Sequence, residues 1–132
     1  MEQSYKKILG IDFGTVRVGV AVSYGTLAEP LKIVANDEFL YENLKKIIEE
    51  HRITQIIVGI SEHKSAERTR AFVNELSKHT TLPIEFTDET LTTQAVRAKL
   101  KETGMLASQV HTARVDHLAA AELLQEWLDI NE

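Results

Sequence analysis

The sequence predicts a single α/β domain built on a mixed β-sheet, and three observations support this prediction. Two β-rich segments flank Gly14-Thr15, which is typical of a β-hairpin. After residue 36, segments with helical spacing of apolar residues alternate with short apolar runs. The last predicted helix carries an apolar stripe that a sheet could cover.

Composition limits the possible functions. The 132 residues are most simply one domain spanning 1–132, and 43% hydrophobic and 27% charged residues are typical of a soluble globular protein. There is no cysteine, which excludes disulfides and thiolate metal sites, and no signal-peptide or membrane-span pattern is visible, so we expect a cytoplasmic location without membrane contact. The net charge of −5 argues against a protein that coats nucleic acid, but it is compatible with a carboxylate-rich nuclease.

Asp12 is the unusual residue of the predicted hairpin, because it lies within an apolar run. Side chains alternate along a strand, so Asp12 lies on one face with Ile8 and Gly10. On the returning strand the same alternation puts the valines on one face and the remaining residues on the other, namely Val18, Val20 and Val22 against Arg17, Gly19 and Ala21. We expect a positive φ at Gly14 in the turn. Burying an unpaired carboxylate is costly, so Asp12 is expected to bind a metal ion; the alternative is an Asp that accepts backbone N–H bonds in a tight turn.

A third strand and a first helix follow. After a loop over Ser23–Glu29, Pro30 opens an edge strand over Leu31–Ala35. Asn36-Asp37 offers a helix N-cap, and helical spacing of apolar residues continues to about His51. This helix is expected to be a crossover to a strand parallel to the first.

The middle of the chain predicts two parallel strands with a helix between them. Gln55–Ile60 is a continuous apolar run, as expected for a buried central strand, and a polar loop then leads to a helix from Ala66 to about His79. Leu82–Phe86 is predicted as the fifth strand, with Asp88 and Glu89 just beyond it. Ligands in open α/β sheets bind beyond the carboxyl ends of parallel strands, so both acids are candidate site residues.

The C-terminal region predicts two more helices, one over about Thr92–Glu102 and one capped by Thr112 that ends at about Asp129. The apolar stripe of the last helix is predicted to consist of Asp116, Ala119, Ala120, Leu123, Trp127 and Ile130. The two alanines would permit close packing on a sheet surface cleared by Gly10 and Gly19. The alternative is that Asp116 is a first-turn acid favoured by the helix dipole.

The acids at residues 12, 88, 89 and 116 could converge at one end of the sheet. Carboxylate oxygens suit Mg²⁺ or Mn²⁺, and two such ions about 4 Å apart can support phosphodiester hydrolysis. The histidines contain no His-x-x-x-His pair, which disfavours a zinc hydrolase. His117 could assist proton transfer or contact phosphate, and a surface role is its alternative. Candidate phosphate contacts are Arg17, Lys64, Arg68 and Arg114, with a solvated surface role as the alternative.

Four segments, in order, resemble the YqgF (RuvX) family: Gly10–Ala21, Ile57–Gly59, Phe86–Thr93 and Val115–Ala121. The resemblance covers nearly the whole chain. It implies a ribonuclease H-like three-layer fold, with a five-stranded mixed sheet of order 3-2-1-4-5, strand 2 antiparallel, and about four helices. It also implies a nuclease acting at the 5′ end of pre-16S rRNA in ribosomal precursors, or on Holliday junctions and other branched DNA, with Asp12, Glu89 and Asp116 as the metal-binding catalytic acids. Asp88, from its position after the fifth strand, is expected to be a further metal ligand, and the protein is expected to be a monomer or homodimer.

Three departures from the family pattern keep other functions open. Val16 stands where the family has Lys, Thr90 where it has Arg, and Gly59–Ser65 replaces its Gly-Leu-Pro loop. Lost cations would weaken substrate binding, so a non-catalytic nucleic-acid-binding or ribosome-associated module is the alternative. Asp12–Thr15 also resembles the phosphate-binding hairpin of actin, sugar kinases and chaperone ATPases, but that group places its nucleotide between two domains and only one is predicted here.

Overall fold

Short runs rich in β-branched residues pair into five strands. They are β1 (Ile8–Asp12), β2 (Arg17–Ser23), β3 (Ala28–Ala35), β4 (Gln55–Ile60) and β5 (Ile84–Asp88). Their order in the sheet is β3-β2-β1-β4-β5. The pairs β1–β2 and β2–β3 are antiparallel, whereas β1–β4 and β4–β5 are parallel. The predicted order and strand directions are therefore confirmed.

Helices cover both faces of this sheet. The computed structural model describes residues 6–61, 66–88 and 116–131, which contain α1 (Leu40–His51), α2 (Ala66–Leu76) and α3 (Asp116–Ile130). The helix predicted over about Thr92–Glu102 lies outside these ranges, so three of the roughly four expected helices are described. None of the three is long and apolar enough to cross a membrane.

Alternation along the strands builds two separate hydrophobic cores. Leu9 and Ile11 point to α1 and α2, together with the valines of β2 at positions 18, 20 and 22. Ile8, Ala21 and Ile57 lie on the opposite face, against α3. The predicted division of the hairpin into two faces is confirmed, and this division decides which side chains can reach the Asp12 side.

Two strands have different limits from those predicted. β3 begins at Ala28 rather than Leu31, because a register shift between Val20 and Ala21 lets the strand continue through Pro30. Proline is tolerated there because β3 is an edge strand, as predicted. β5 covers residues 84–88 rather than 82–86, so Asp88 belongs to the strand itself and pairs with Ile60.

The first two helices are shorter than predicted. α1 begins at Leu40, because Asp37 closes a turn before it: its side-chain oxygen accepts the N–H of Phe39 at 2.9 Å and its carbonyl accepts the N–H of Leu40 at 3.1 Å. The prediction of Asn36-Asp37 as the helix cap is therefore wrong. α2 ends at Leu76 rather than near His79, and a turn follows in which the His79 N–H bonds to the Leu76 carbonyl.

The buried stripe of α3 also differs from the predicted one. Ala119, Ala120 and Leu123 are buried as expected, but the stripe continues through Leu124 and Leu128. Ile130 is 80% exposed and does not belong to it. The prediction was wrong at Ile130 because, at 3.6 residues per turn, a stripe through Leu124 and Leu128 leaves residue 130 on the solvent side.

Candidate active site

Asp12 ends β1 in a niche formed by glycines. By strand alternation it shares the α3 face with Ile8 and Gly10, and it pairs with Gly19 of β2. On the other side Ile11 pairs with Val58, so continuing the register puts Gly59 of β4 beside Asp12. Glycines therefore lie beside this half-buried carboxylate on both neighbouring strands, so neither strand places a side chain next to it.

The loop after Asp12 is held by Asn36. The Asn36 backbone N–H donates to the Val16 carbonyl at 3.0 Å, and its side-chain Nδ2 donates to the Gly14 carbonyl at 2.8 Å. The φ of Gly14 is not in the left-handed region, so the expected positive φ is wrong. Glycine is needed there for space, because a Cβ atom would overlap the carbonyl oxygen of Arg17.

Close packing on Gly10 positions α3. A Cβ atom at Gly10 would lie 2.9 Å from the Leu124 Cβ and 3.2 Å from the Ala120 carbonyl oxygen. Real Cβ contacts are essentially never as short as 2.9 Å, and few are as short as 3.2 Å, so only glycine lets the helix approach β1 this closely. The predicted role of Gly10, clearance for the helix that carries Asp116, is confirmed.

Two side chains fix the direction of α3 across the sheet. Gln125 Oε1 accepts the N–H of Ala28 at 2.8 Å, and its Nε2 donates to the Thr26 carbonyl at 2.9 Å. Trp127 Nε1 donates to Glu85 Oε2 of β5 at 2.7 Å. Because Ala28 pairs with Ser23, and Ser23 with Ile8, Gln125 lies toward the Ile8 end of β1.

The start of α3 therefore points to the Asp12 end of the sheet. Ala120 lies over Gly10, and Asp116 is about one helical turn before Ala120. His117, which follows Asp116, has a buried Nδ1 with no hydrogen-bond partner in the part of the chain that the structure describes.

Asp88 lies on the other face of the sheet. Ile84 packs in the core beneath α1 and α2, whereas Glu85 reaches Trp127 of α3. Alternation therefore puts Asp88 on the face of α1 and α2, where it is exposed and has an interaction partner of its own. Thr87 shares the Asp12 face instead, level with Gly59.

Gly59 and Thr87 are neighbours of the site that sequence reasoning missed. Both are ordinary residues of apolar strands, and neither stands out until β1, β4 and β5 are aligned. The signal that could find them is register: once Asp12 is taken as the reference, the residues level with it on successive parallel strands can be counted.

The predicted cations are placed differently. Arg17 begins β2, is exposed, and shares the Asp12 face because it is two residues from Gly19. Arg68 is exposed on α2 and lines a cleft of about 360 Å³ with Phe13 and Tyr41 on the other side of the sheet. Glu89, Lys64 and Arg114 lie outside the described residues.

No group of three or more potential metal-ligating side chains comes together within residues 6–61, 66–88 and 116–131. Two of the predicted acids lie in this range on the α3 side of the sheet. Asp12 is described with its side chain, and Asp116 with its backbone. The structure thus brings together Asp12, the glycines beside it, Arg17 and the Asp116 end of α3.

Two solved structures share this architecture. RuvC from Thermus thermophilus in complex with a Holliday junction substrate superimposes with a TM-score of 0.60 at 16% identity, over 96% of each chain. A second Thermus thermophilus RuvC structure gives a TM-score of 0.55 at 17% identity, over 94% of each chain. At such identities the likeness shows the fold, which is ribonuclease H-like.

Sequence relatives identify the family within this fold class. A protein of Sulfurihydrogenibium sp. (strain YO3AOP1) is 34% identical over 93% of this chain and 90% of its own length. One from Ruegeria sp. (strain TM1040) is 38% identical, over 92% of this chain and 83% of its own. Both are named "Putative pre-16S rRNA nuclease". The family model described as RuvX, Holliday junction resolvase, matches residues 6–130, so the chain belongs to the RuvX family of nucleases, as its motifs predicted.

Proposed function

We propose that the protein is a divalent-metal-dependent nuclease that hydrolyses phosphodiester bonds in structured nucleic acid, either at the 5′ end of pre-16S rRNA or in Holliday junctions. The observation that carries the proposal is the position of Asp12. It ends a parallel strand between glycines of the two neighbouring strands, on the face covered by α3, the helix that carries Asp116. Family membership and the names of the relatives indicate the two substrate classes.

The donor chemistry fits Mg²⁺ or Mn²⁺. Asp12, Glu89 and Asp116 would hold the metal through carboxylate oxygens, the ligands that such cations prefer. The buried Nδ1 of His117 supports this assignment, because buried polar atoms normally have a partner and this one could gain it with metal or substrate. When bound, the metal would supply Lewis acidity at the scissile phosphate.

The protein's own groups would position the substrate. Arg17 lies on the Asp12 face and would orient a phosphate beside the niche, with Lys64, Arg68 and Arg114 as further phosphate contacts along the substrate. On a chain with a net charge of −5, such contacts would form a local basic patch rather than a broad basic surface. Asp88 is the least suited of the proposed ligands, since its strand position faces α1 and α2.

One observation favours a second candidate, a nucleic-acid-binding module without turnover. Val16 is 65% exposed in the loop that follows Asp12, where the family has a lysine. An exposed apolar side chain there offers no charge to a phosphate. This candidate predicts salt-dependent binding without metal-dependent cleavage.

The deciding experiment uses a precursor 16S rRNA fragment with its 5′ extension and a four-way DNA junction. Each is incubated with wild type and with Asp12→Asn, in Mg²⁺, in Mn²⁺ and in EDTA. Cleavage by wild type in a divalent ion, lost in EDTA and in the variant, supports the nuclease. Equal cleavage by both proteins contradicts the role of Asp12, and binding without product in any condition favours the second candidate.

A further inference from the structure

A cleft lined by aromatic rings lies beside the hairpin loop, on the sheet face opposite Asp12. We call it the aromatic cleft; it has a volume of about 360 Å³. It is lined by Phe13, Thr15, Asn36, Tyr41, Arg68, Ala71 and Phe72. The volume is within the range of clefts that hold small organic groups, about 300–1,000 Å³.

The rings of the aromatic cleft form a continuous stack. Phe13 lies on Phe72 with ring centroids 4.5 Å apart, and Tyr41 lies 5.9 Å from Phe72 on α2. His79 extends the stack beyond Tyr41, at 4.9 Å and nearly parallel. Phe72 is buried, whereas Phe13 and Tyr41 remain partly exposed and can present ring surface to a ligand. Flat aromatic surfaces of this kind bind unstacked nucleobases.

Polar groups surround these rings. Arg68 is an exposed guanidinium that makes no ion pair with another described residue, so its charge can meet a phosphate. Asn36 uses its side-chain nitrogen for the Gly14 carbonyl, and its oxygen can accept a hydrogen bond from a base edge. Burial and the neighbouring Glu75 carboxylate raise the pKa of Tyr41, so its hydroxyl remains a donor at neutral pH.

The aromatic cleft is next to the proposed site along the chain. Phe13 directly follows Asp12, and their side chains leave the end of β1 on opposite faces. A nucleic-acid strand with one phosphate at Asp12 could therefore bend over the hairpin loop and bring a neighbouring nucleotide to Phe13. A paired base could not do so, because its faces and edges are engaged in the duplex.

We infer that the aromatic cleft binds an unpaired base next to the scissile phosphodiester, with Arg68 on the phosphate of that nucleotide. This inference rests on the proposed function, since it takes Asp12 to be at the cleaved bond. It makes the preferred substrate one with a single-stranded segment beside the cleavage position. A fully paired duplex could fill the Asp12 niche but not the aromatic cleft.

Binding without cleavage tests the inference. Fluorescence anisotropy in EDTA measures affinity for a single-stranded RNA of about 12 nucleotides and for the same RNA with abasic positions. We expect abasic substitution at one register to weaken wild-type binding about 5-fold or more, the effect of a lost base–aromatic stack. Phe13→Leu should lose the same factor, and Arg68→Gln should reduce the salt dependence by about one phosphate contact.

Two control variants match these changes. Phe39→Leu removes an exposed aromatic ring and Lys46→Gln an exposed positive charge, both at positions that do not line the aromatic cleft. Both controls should bind like wild type. Thermal unfolding checks each variant, and if Phe13→Leu is unfolded, the abasic series together with Arg68→Gln still decides.

The two proposals fail separately. If wild type binds intact and abasic RNA equally and Arg68→Gln binds like wild type, the aromatic cleft does not hold a base, whatever Asp12→Asn does to cleavage. If abasic RNA binds more weakly and Arg68→Gln loses a contact, the aromatic cleft binds an unpaired base. If Asp12→Asn then cleaves like wild type, only the placement of that base next to the scissile bond is overturned.

Discussion

The two faces of the sheet are built from the same strands but have opposite character. Toward α1 and α2 the strands present large aliphatic side chains, such as Leu9, Ile11 and Val58, which close a continuous core. Toward α3 the same strands present Gly10, Gly19 and other small residues around one carboxylate. Because side chains alternate with period 2, neighbouring residues of one strand can serve both purposes.

The difference shows how a small domain makes room for a charged site without losing its core. One face supplies most of the buried apolar area, and the other gives up side-chain volume so that a helix and an acid can approach the backbone. Substitutions on the α3 face should therefore affect activity first, and those on the other face should affect stability first.

The largest expected effect is on cleavage activity, and it should distinguish two acids at the same end of the sheet. Asp12→Asn should lower metal-dependent cleavage about 100-fold or more, since it removes a charged ligand, whereas even supporting residues around metals cost about 10- to 100-fold. Asp88→Asn, on the opposite face, should retain activity within about 10-fold. Single-turnover cleavage measures both. Equal losses of cleavage activity would contradict the assignment of Asp12 and Asp88 to functionally different faces of the sheet.

Filling the gap at Gly10 should have the next largest effect. In Gly10→Ala the new Cβ would meet Leu124 and the Ala120 backbone, so α3 must shift. We expect a loss of about 1–3 kcal/mol in the free energy of unfolding, and lower cleavage activity. Gly25→Ala is the control, because nothing lies within 4 Å of its Cβ position. Urea unfolding compares them, and similar stabilities would contradict the close-packing role of Gly10.

Loosening the far end of α3 should have a smaller effect. Gln125→Ala removes the hydrogen bonds to Thr26 and to Ala28 at the start of β3, and it leaves the Ala28 N–H without its Gln125 partner, a cost of about 1–2 kcal/mol. Amide hydrogen exchange should show faster opening in α3 than in α1. If exchange becomes faster to the same degree in both helices, the Gln125 hydrogen bonds do not anchor α3 specifically.

The smallest expected effect is a pH-dependent change in stability at Tyr41 of α1. Burial, with the Glu75 carboxylate nearby, raises the pKa of Tyr41 above its usual value of 10. The protonated hydroxyl is favoured in the folded state, so its contribution is complete below pH 10 and is lost as pH rises through the folded pKa. Wild type should therefore lose stability relative to Tyr41→Phe only above pH 10. A difference that changes between pH 7 and 9 would contradict this cause.

The strands could be predicted from the sequence because each leaves a local pattern, whereas their order in the sheet was implied by the resemblance to the YqgF (RuvX) family. The alternation in residues 8–22 fixed both faces of the hairpin, and the continuous run at 55–60 indicated a doubly covered strand. The errors occurred where packing and pairing between different segments determine the structure. Ile130 fits a helical stripe but lies beyond its buried side, and Pro30 fits a strand end but is accommodated by an irregular edge pairing.

The candidate site was predictable in part. Asp12 stands out because a carboxylate in an apolar strand needs a physical reason, and the small residues of the last helix suggested what packs beside it. The face of Asp88 could not be derived, because it depends on where β5 ends. Thr87 and Gly59 depend on strand register, which is set by pairing and not by either segment alone.

The anchoring of α3 by Gln125 also bears on the order of folding. Its hydrogen bonds join residues 97 and 99 positions apart in the chain. Contacts between such distant segments carry a high entropic cost and form slowly compared with local ones. The hairpin and the core beneath α1 can assemble from the first 60 or so residues, while the glycine-lined face waits for α3. A growing chain would thus hold Asp12 on an uncovered surface until its last helix arrives, so this face would be completed only at the end of synthesis.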